Sequence, residues 1–441
     1  MVQPRNIVYP IRYVTPWLDR DGRSESVFTA QLSRILGGES FIIPLGRART
    51  GLYLLVKSAV TPARSRVIMS PYTIADVVNM VKFAGGQPVF VDFVPNSTNV
   101  DVDHLRALVD DRTACVLLTH YHVSQEKILK VAELCRERGV KLFDDCAICL
   151  GASFMGRPIG TLTDASVFSL SGFKILNFIW GGFIATKDAE QFRAISKEMA
   201  PWPRLRARQY LKMGLEVAKY NVLTNPLIFP LAFGVRSRLV QKGEVKNIIP
   251  RALIETRSLD ETILSRPSAG AFAEWNRKFG EIAKINAHRR AIAAIYDRTF
   301  RTISVSAETD DAVRATSSFW HYPIVVGADY REHVYREVLR RGFDVGLMLY
   351  PNVHESEPYA MIEGRSSNVS ILARSMITLP THVRVTASYA EDLVACVADV
   401  LAESGAGDST RASNGGLPLR RSTGSCSGVE TATHSRRDVI G

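Results

Sequence analysis

Three places along this 441-residue chain carry residue types able to do chemistry where a fold could use them: His120, Asp145, and the run from Ser169 to Lys174. Each comes after or at the end of a short apolar segment of strand character, at Cys115 to Thr119, at Lys141 to Asp144 and from Ser166 onward. Singly, each has an ordinary explanation: a histidine in the core, an aspartate capping the next helix, a solvated lysine in a loop. Together they meet one chemical demand. Pyridoxal phosphate needs a lysine for its Schiff base, a carboxylate beside its pyridine nitrogen, and hydroxyl or backbone donors around its phosphate. Asp145 is the candidate carboxylate, whose charge would keep the ring nitrogen protonated so that the ring can accept electrons. Lys174 is the candidate lysine, and once displaced by an incoming amine it would be the base that shuttles a proton.

Such a constellation needs a parallel sheet, because parallel α/β sheets gather their ligands at the carboxyl ends of the strands. From about Phe41 to Lys187 the chain does alternate short apolar segments with helical stretches. Strands are expected at Arg66 to Ser70, Pro88 to Phe93, Cys115 to Thr119, Lys141 to Asp144, Ser166 to Leu170 and Gly182 to Thr186. Helical spacing of apolar residues recurs at Ile74 to Ala84, Val102 to Val109 and Gln125 to Arg138. Beyond Ser258 the pattern predicts a long helix from Ala271 to Phe300, a strand at Phe319 to Val326, a helix at Tyr330 to Arg341, a strand at Val345 to Tyr350 and a last helix from about Ser388 to Ala402. The expected organisation is an N-terminal arm (1–40), a large cofactor domain (41–200), a basic, partly apolar insertion (201–260), a small α+β domain (261–403) and a disordered tail (404–441) rich in Ser, Gly, Thr and Arg.

With 46% hydrophobic and 22% charged residues the chain reads as a soluble globular protein of two or more domains. Met1 to Leu18 lacks the unbroken apolar core of a secretory signal, and six irregularly spaced cysteines make no disulfide framework, so a reducing cytoplasm is expected. Cys146-x-x-Cys149 has no second pair, which favours two small buried side chains over a metal site, and no metal is expected. The formal charge of +11 is concentrated: Pro201 to Ser258 holds eleven Lys and Arg against three Glu. No nucleic-acid motif accompanies that excess, so no nucleic-acid partner is expected. The apolar stretch Val222 to Val235 is too short and too interrupted by prolines to cross a bilayer. It could pack on the body of the protein or lie on the inner face of a membrane.

The sequence resembles the sugar aminotransferases often named after DegT and StrS, a branch of the type I pyridoxal-phosphate fold. The likeness covers most of Phe41 to Ala402 and is clearest in Lys141 to Ala147, Gly151-Ala152, Gly156 to Gly160, Phe168 to Lys174 and Gly181-Gly182. Further matching segments are Val67 to Thr73, Gly85 to Asp92 and Thr113 to Tyr121, which contains His120. Arg289, Tyr296, Tyr350-Pro351, His354 and Thr378 to Pro380 continue it late in the chain. The resemblance implies an α/β type I transferase fold with a mainly parallel sheet between helices and a smaller α+β C-terminal domain. It implies that Asp145 contacts the pyridine nitrogen, that Ser169 contacts the phosphate and that Lys174 forms the Schiff base.

Some positions depart from the family pattern. Arg47-Ala48-Arg49-Thr50-Gly51 replaces the usual Gly-Thr phosphate turn, and Arg49 and Thr50 are the expected anion contacts there. Ile74 occupies the place of the aromatic that stacks on the ring, with Tyr72 as an alternative, Ile148 that of a glutamine, and Trp180 that of an acid; an asparagine expected before Arg266 is missing. The implied activity is amino transfer from an amino acid, L-glutamate in the family pattern, to a nucleotide-linked keto-sugar for surface polysaccharide or a glycosylated metabolite. The implied assembly is a homodimer. Two alternatives stand beside it: a sugar dehydratase, in which relatives carry histidine where Lys174 stands, and a scaffold that binds a polyanion or a membrane surface.

Overall fold

The computed structural model describes residues 23–405 apart from 123–124, 173, 179, 206, 224, 226, 244–257, 306 and 348–349. Seven strands form its main sheet: β1 (Phe41–Leu45), β2 (Arg66–Met69), β3 (Gln87–Phe90), β4 (Thr113–Thr119), β5 (Lys141–Asp145), β8 (Ala165–Ser169) and β9 (Gly182–Thr186). Between β5 and β8 lies a two-residue ladder, β6 (Ser153–Phe154) with β7 (Arg157–Pro158). The sheet order is β1-β9-β8-β5-β4-β2-β3, and only β9 runs against its two neighbours. The expected type I transferase architecture is what the chain adopts.

Central strands buried on both faces sort their side chains by the two-residue period. On β4, Cys115 and Leu117 face one layer while Val116 and Leu118 face the other. The first layer is filled by helices α2 (Ala48–Ala59), α3 (Ala75–Phe83) and α6 (Ala189–Met199), the second by α1 (Ser24–Ile35), α4 (Val102–Leu108), α5 (Ile128–Glu137) and α9 (Ala269–Lys278). Asp101 begins α4 by accepting the backbone N–H groups of Asp103 and His104.

Helices α7 (Ala207–Leu223) and α8 (Phe229–Gln241) lie in the segment expected to be a basic insertion. The smaller unit comprises α10 (Ile282–Phe300), α11 (Asp311–Thr316), β10 (Tyr322–Val325), α12 (Ala328–Arg340), α13 (Ser367–Ser375), β11 (Met376–Leu379) and α14 (Ala387–Ser404). Its core is built on α10, α12, α14 and the antiparallel β10–β11 pair.

Four boundaries differ from expectation. The 1–40 segment, described from Arg23, is more than an arm: Phe28 of α1 is fully buried among Phe183, Phe272, Trp275 and Phe279. The helix expected from Ala271 to Phe300 is broken by a 3₁₀ turn at Phe279–Glu281. Ile282 and Ile285 belong to the large core and Ile292, Tyr296 and Phe300 to the small one, so the domain border falls inside α10 rather than at 261. Val345 to Tyr350 is not a strand among the described residues; only Gly346 bridges Thr378, while β11, which is only 4 residues long, takes the place beside β10. Of the tail expected to be disordered, 406–441 lies outside the described residues.

Candidate active site

The carboxyl ends of β4, β5 and β8 lie side by side, with Thr119 opposite Asp145 and Asp145 opposite Val167. That register brings His120, Asp145 and Ser169 to one edge of the sheet, where they line a cleft with Arg47, Arg49, Ile74, Ile148, Ser171, Lys174, Trp180 and Tyr350. The loop after β8 is pinned by Leu170 N–H to Gly181 O and Phe178 N–H to Leu170 O, and buried Ile175, Leu176 and Phe178 root it in the core. Lys174 is thereby held on the cleft wall, with Nζ 5.5 Å from the centre of the Trp320 ring.

Burial pushes the Lys174 amine below its ordinary range; Asp145 opposes that shift and Arg49 adds to it. A depressed lysine holds more of its free-amine form, which is the nucleophile. Burial raises the Asp145 carboxyl, while the Ala147 N–H, donating to Oδ1 at 3.0 Å, and the nearby Lys174 and His120 pull it back down. A buried carboxylate of this kind favours a cationic partner in the cleft. His120 accepts the Gln125 N–H at Nδ1 (3.2 Å), and its Nε2 lies 3.3 Å from Asp144 Oδ1. His120, Asp144 and Cys146 present their ligating atoms within 4.8 Å of one another, but burial drives the Cys146 thiol well above its ordinary value and so keeps it protonated. Cys149 is buried and raised in the same way.

The start of α2 forms the basic end of the cleft. Arg47 precedes the helix in extended conformation, and its guanidinium carbon lies 3.4 Å from the Trp180 ring centre. Burial, and then Arg49, push Arg47 down to about 9, against the pull of Asp260 and Asp76, and its Nε is buried with no hydrogen-bond partner. Arg49 is paired with Asp76 in the first turn of α3. Ser169 and Ser171 place their hydroxyls 3.0 Å apart on the facing loop. Gly182 lets β9 pass beneath the helix start: a Cβ there would stand 2.6 Å from Phe168 O and 2.9 Å from Ala48 N. Two guanidinium groups, a helix N-terminus and two hydroxyls are donors for a phosphate dianion. With a buried carboxylate and a lysine on the same cleft, the residues present fit pyridoxal phosphate.

One expected contact is misplaced. Thr50 is fully buried outside the cleft lining, and its hydroxyl donates to Ile263 O at 2.7 Å. At the third position of α2 its side chain turns inward, so it ties the helix to a later segment instead of reaching a phosphate. Ile74 begins α3 and lines the cleft as expected, as does Ile148. Tyr72 also lines it, with its hydroxyl directed at the Met376 sulfur (3.2 Å). Arg289, Tyr296 and His354 lie outside the cleft lining and serve structure: Arg289 donates to Trp320 O and Thr381 Oγ1, Tyr296 to Pro380 O, and the His354 ring contacts Ser366 and Ile362 O. Arg47 lines the cleft beside Arg49, and its signal in the sequence is the pair of arginines flanking Ala48 at a helix start.

The sequence matches the DegT/DnrJ/EryC1/StrS aminotransferase family over residues 13–215 and 273–398. The chain belongs to this family. The gap in the DegT/DnrJ/EryC1/StrS match, 216–272, takes in the C-terminal part of α7, all of α8 and the start of α9. Among curated relatives of known function, dTDP-4-dehydro-2,3,6-trideoxy-D-glucose 4-aminotransferase of Saccharopolyspora spinosa is 24% identical over 84% of this chain and 87% of its own length. GDP-perosamine synthase of Caulobacter vibrioides is 30% identical over a shorter stretch, 40% of this chain and 47% of that enzyme. Among solved structures, PseC of Helicobacter pylori, an aminotransferase involved in the biosynthesis of pseudoaminic acid, superposes with a TM-score of 0.64 at 18% identity, covering 89% of this chain and 99% of PseC.

Proposed function

We propose that the protein is a pyridoxal-phosphate-dependent aminotransferase that moves an amino group from L-glutamate to a nucleotide-linked keto-sugar, working as a homodimer. What carries the reading is the placement of the depressed Lys174 amine and the buried Asp145 carboxylate on one cleft, with Arg47, the α2 N-terminus and Ser169 at the anion end. The nucleotide-sugar acceptor rests on the activities named for the relatives in Saccharopolyspora and Caulobacter.

When bound, the cofactor supplies an aldehyde that bonds to amines and a ring that draws electrons from the adjacent carbon. Asp145 would hold a proton on the ring nitrogen. Its Oδ1 is already fixed by Ala147, so the carboxylate needs no reorientation when the ring charge changes. Lys174 Nζ would hold the cofactor before substrate arrives and, once released as a free amine, move a proton at the substrate carbon; its lowered basicity keeps it able to accept one near neutral pH. Ile74 and Ile148 line the same cleft with apolar surface and would exclude water from the ring. Arg47 and Ser169 would anchor the phosphate so that the reacting end cannot drift.

The test uses the purified full chain loaded with pyridoxal phosphate. L-glutamate should bleach the visible cofactor band and release one equivalent of 2-oxoglutarate, and a dTDP- or GDP-linked 4-keto sugar should restore the band. Bleaching by L-glutamate with no restoration by any nucleotide-linked keto-sugar would remove the proposed acceptor class. No bleaching by L-glutamate would remove the proposed donor.

A further inference from the structure

We propose that the α7–α8 segment is a docking surface for an anionic lipid bilayer, holding the enzyme at a membrane without crossing it. The first observation is that α8 has two faces. Phe229, Phe233, Arg236 and Val240 follow one another at helical spacing and point into the small domain: the three apolar side chains are buried in its core, and Arg236 donates to Asp344 (2.7 Å) and to the Tyr335 hydroxyl (2.8 Å). The helix is therefore fixed to the folded body. Its other stripe runs from Leu227, in the turn before the helix, through Leu231, Val235 and Arg238 to Lys242 at the C-cap. The first three are 91%, 73% and 50% exposed, and both cations are exposed.

A solvent-facing stripe on a helix already anchored by its opposite face needs no leucines for folding. Helix α7 repeats the pattern with Arg208, Leu211, Leu215, Lys219 and Val222, whose three apolar members are each more than half exposed. Across 201–243 the sequence has eight Lys and Arg and a single Glu. Apolar side chains that enter the acyl boundary, with cations beside them for lipid phosphates, make up the interfacial pattern. Most of the segment lies in the gap of the family match, outside the residues this chain shares with the family model. Among the described residues no helix is long and apolar enough to span a bilayer, so the contact is peripheral.

Charge selects the occupant. A second copy packed on this face would set one strongly basic segment against another, eight Lys and Arg against a single Glu on each side, and that like charge opposes closure. An anionic bilayer complements the same residues, each exposed cation strengthening partition by about fivefold at low salt.

The test is flotation of the purified full chain with vesicles of phosphatidylcholine alone or with about 30% phosphatidylglycerol, a composition chosen to match the charge argument. The intact protein should float with the anionic vesicles and stay behind with the neutral ones. L227E/L231E/V235E and, separately, R238E/K242E should each reduce binding to anionic vesicles at least tenfold, while both variants keep the cofactor absorption band as evidence of folding. Equal partition of the intact protein into both vesicle types, or undiminished flotation of the two folded variants, would overturn the proposal. So would lipid-free light scattering in which the intact protein is a larger assembly that L227E/L231E/V235E dissolves, since the face would then be covered by another copy.

Discussion

Replacing Arg47 with Met isolates the anion end of the cleft. Methionine keeps apolar contact with Trp180 and removes the charge, leaving Arg49 and the helix start in place. One charge-assisted contact to a phosphate contributes ~1.5–3 kcal/mol, so the dissociation constant for pyridoxal phosphate should rise by about 10- to 150-fold near neutral pH. The pH dependence makes the prediction specific. Because Arg47 sits at about 9 in the free cleft, the intact protein must take up a proton to bind phosphate at higher pH. At about pH 10.5 that uptake costs ~2 kcal/mol, which offsets most of the contact. The ratio of dissociation constants, variant over intact, should therefore fall towards unity as pH rises through 9, when measured by fluorescence titration with the cofactor. The depressed value also means that the folded, cofactor-free protein carries a destabilising charge below pH 9, so the variant's melting temperature without cofactor should not drop. A ratio that stays constant from neutral to alkaline pH, or a variant that binds as well as the intact protein, would refute the placement of phosphate at Arg47.

Asp145→Asn should still bind the cofactor but slow the L-glutamate half-reaction by ~10²–10⁴-fold in stopped-flow bleaching. Because the folded-state carboxyl is raised, its charge costs the cofactor-free protein stability above the ordinary aspartate range, so this variant should melt no lower at neutral pH; a lower melting point would contradict the direction of the shift. Thr50→Val should leave cofactor affinity unchanged and lower unfolding stability by ~1–3 kcal/mol in urea, because Ile263 O loses its buried donor. Weakened cofactor binding at unchanged stability would return the hydroxyl to the phosphate.

The parallel sheet was legible because strands buried on both faces read as short apolar runs, and the polar residue ending each run falls at the ligand edge by topology alone. That is how Asp145, Ser169 and His120 could be placed from the sequence, with Lys174 following Ser169 in the run after the strand. Thr50 was misread because a threonine at a helix start commonly faces solvent or an anion, whereas here the partner is Ile263, 213 residues away. Arg47 was passed over for a similar reason: its role depends on Trp180 lying beneath it, a contact between residues far apart in sequence. Val222 to Val235 read as one apolar stretch, but it runs from the end of α7 into the first half of α8, where helical geometry divides it into buried Phe229 and Phe233 and exposed Leu231 and Val235, with Leu227 exposed in the turn before α8. The border inside α10 escaped notice because a continuous helical period carries no mark where the core it faces changes.

The central claim is that Lys174 is the residue that holds the cofactor. Reducing the loaded protein with borohydride and mapping the modified peptide by mass spectrometry tests it most directly. The phosphopyridoxyl group should be found on Lys174 and be absent in Lys174→Ala. Modification of the intact protein at any other lysine, or undiminished labelling of the variant, would contradict it.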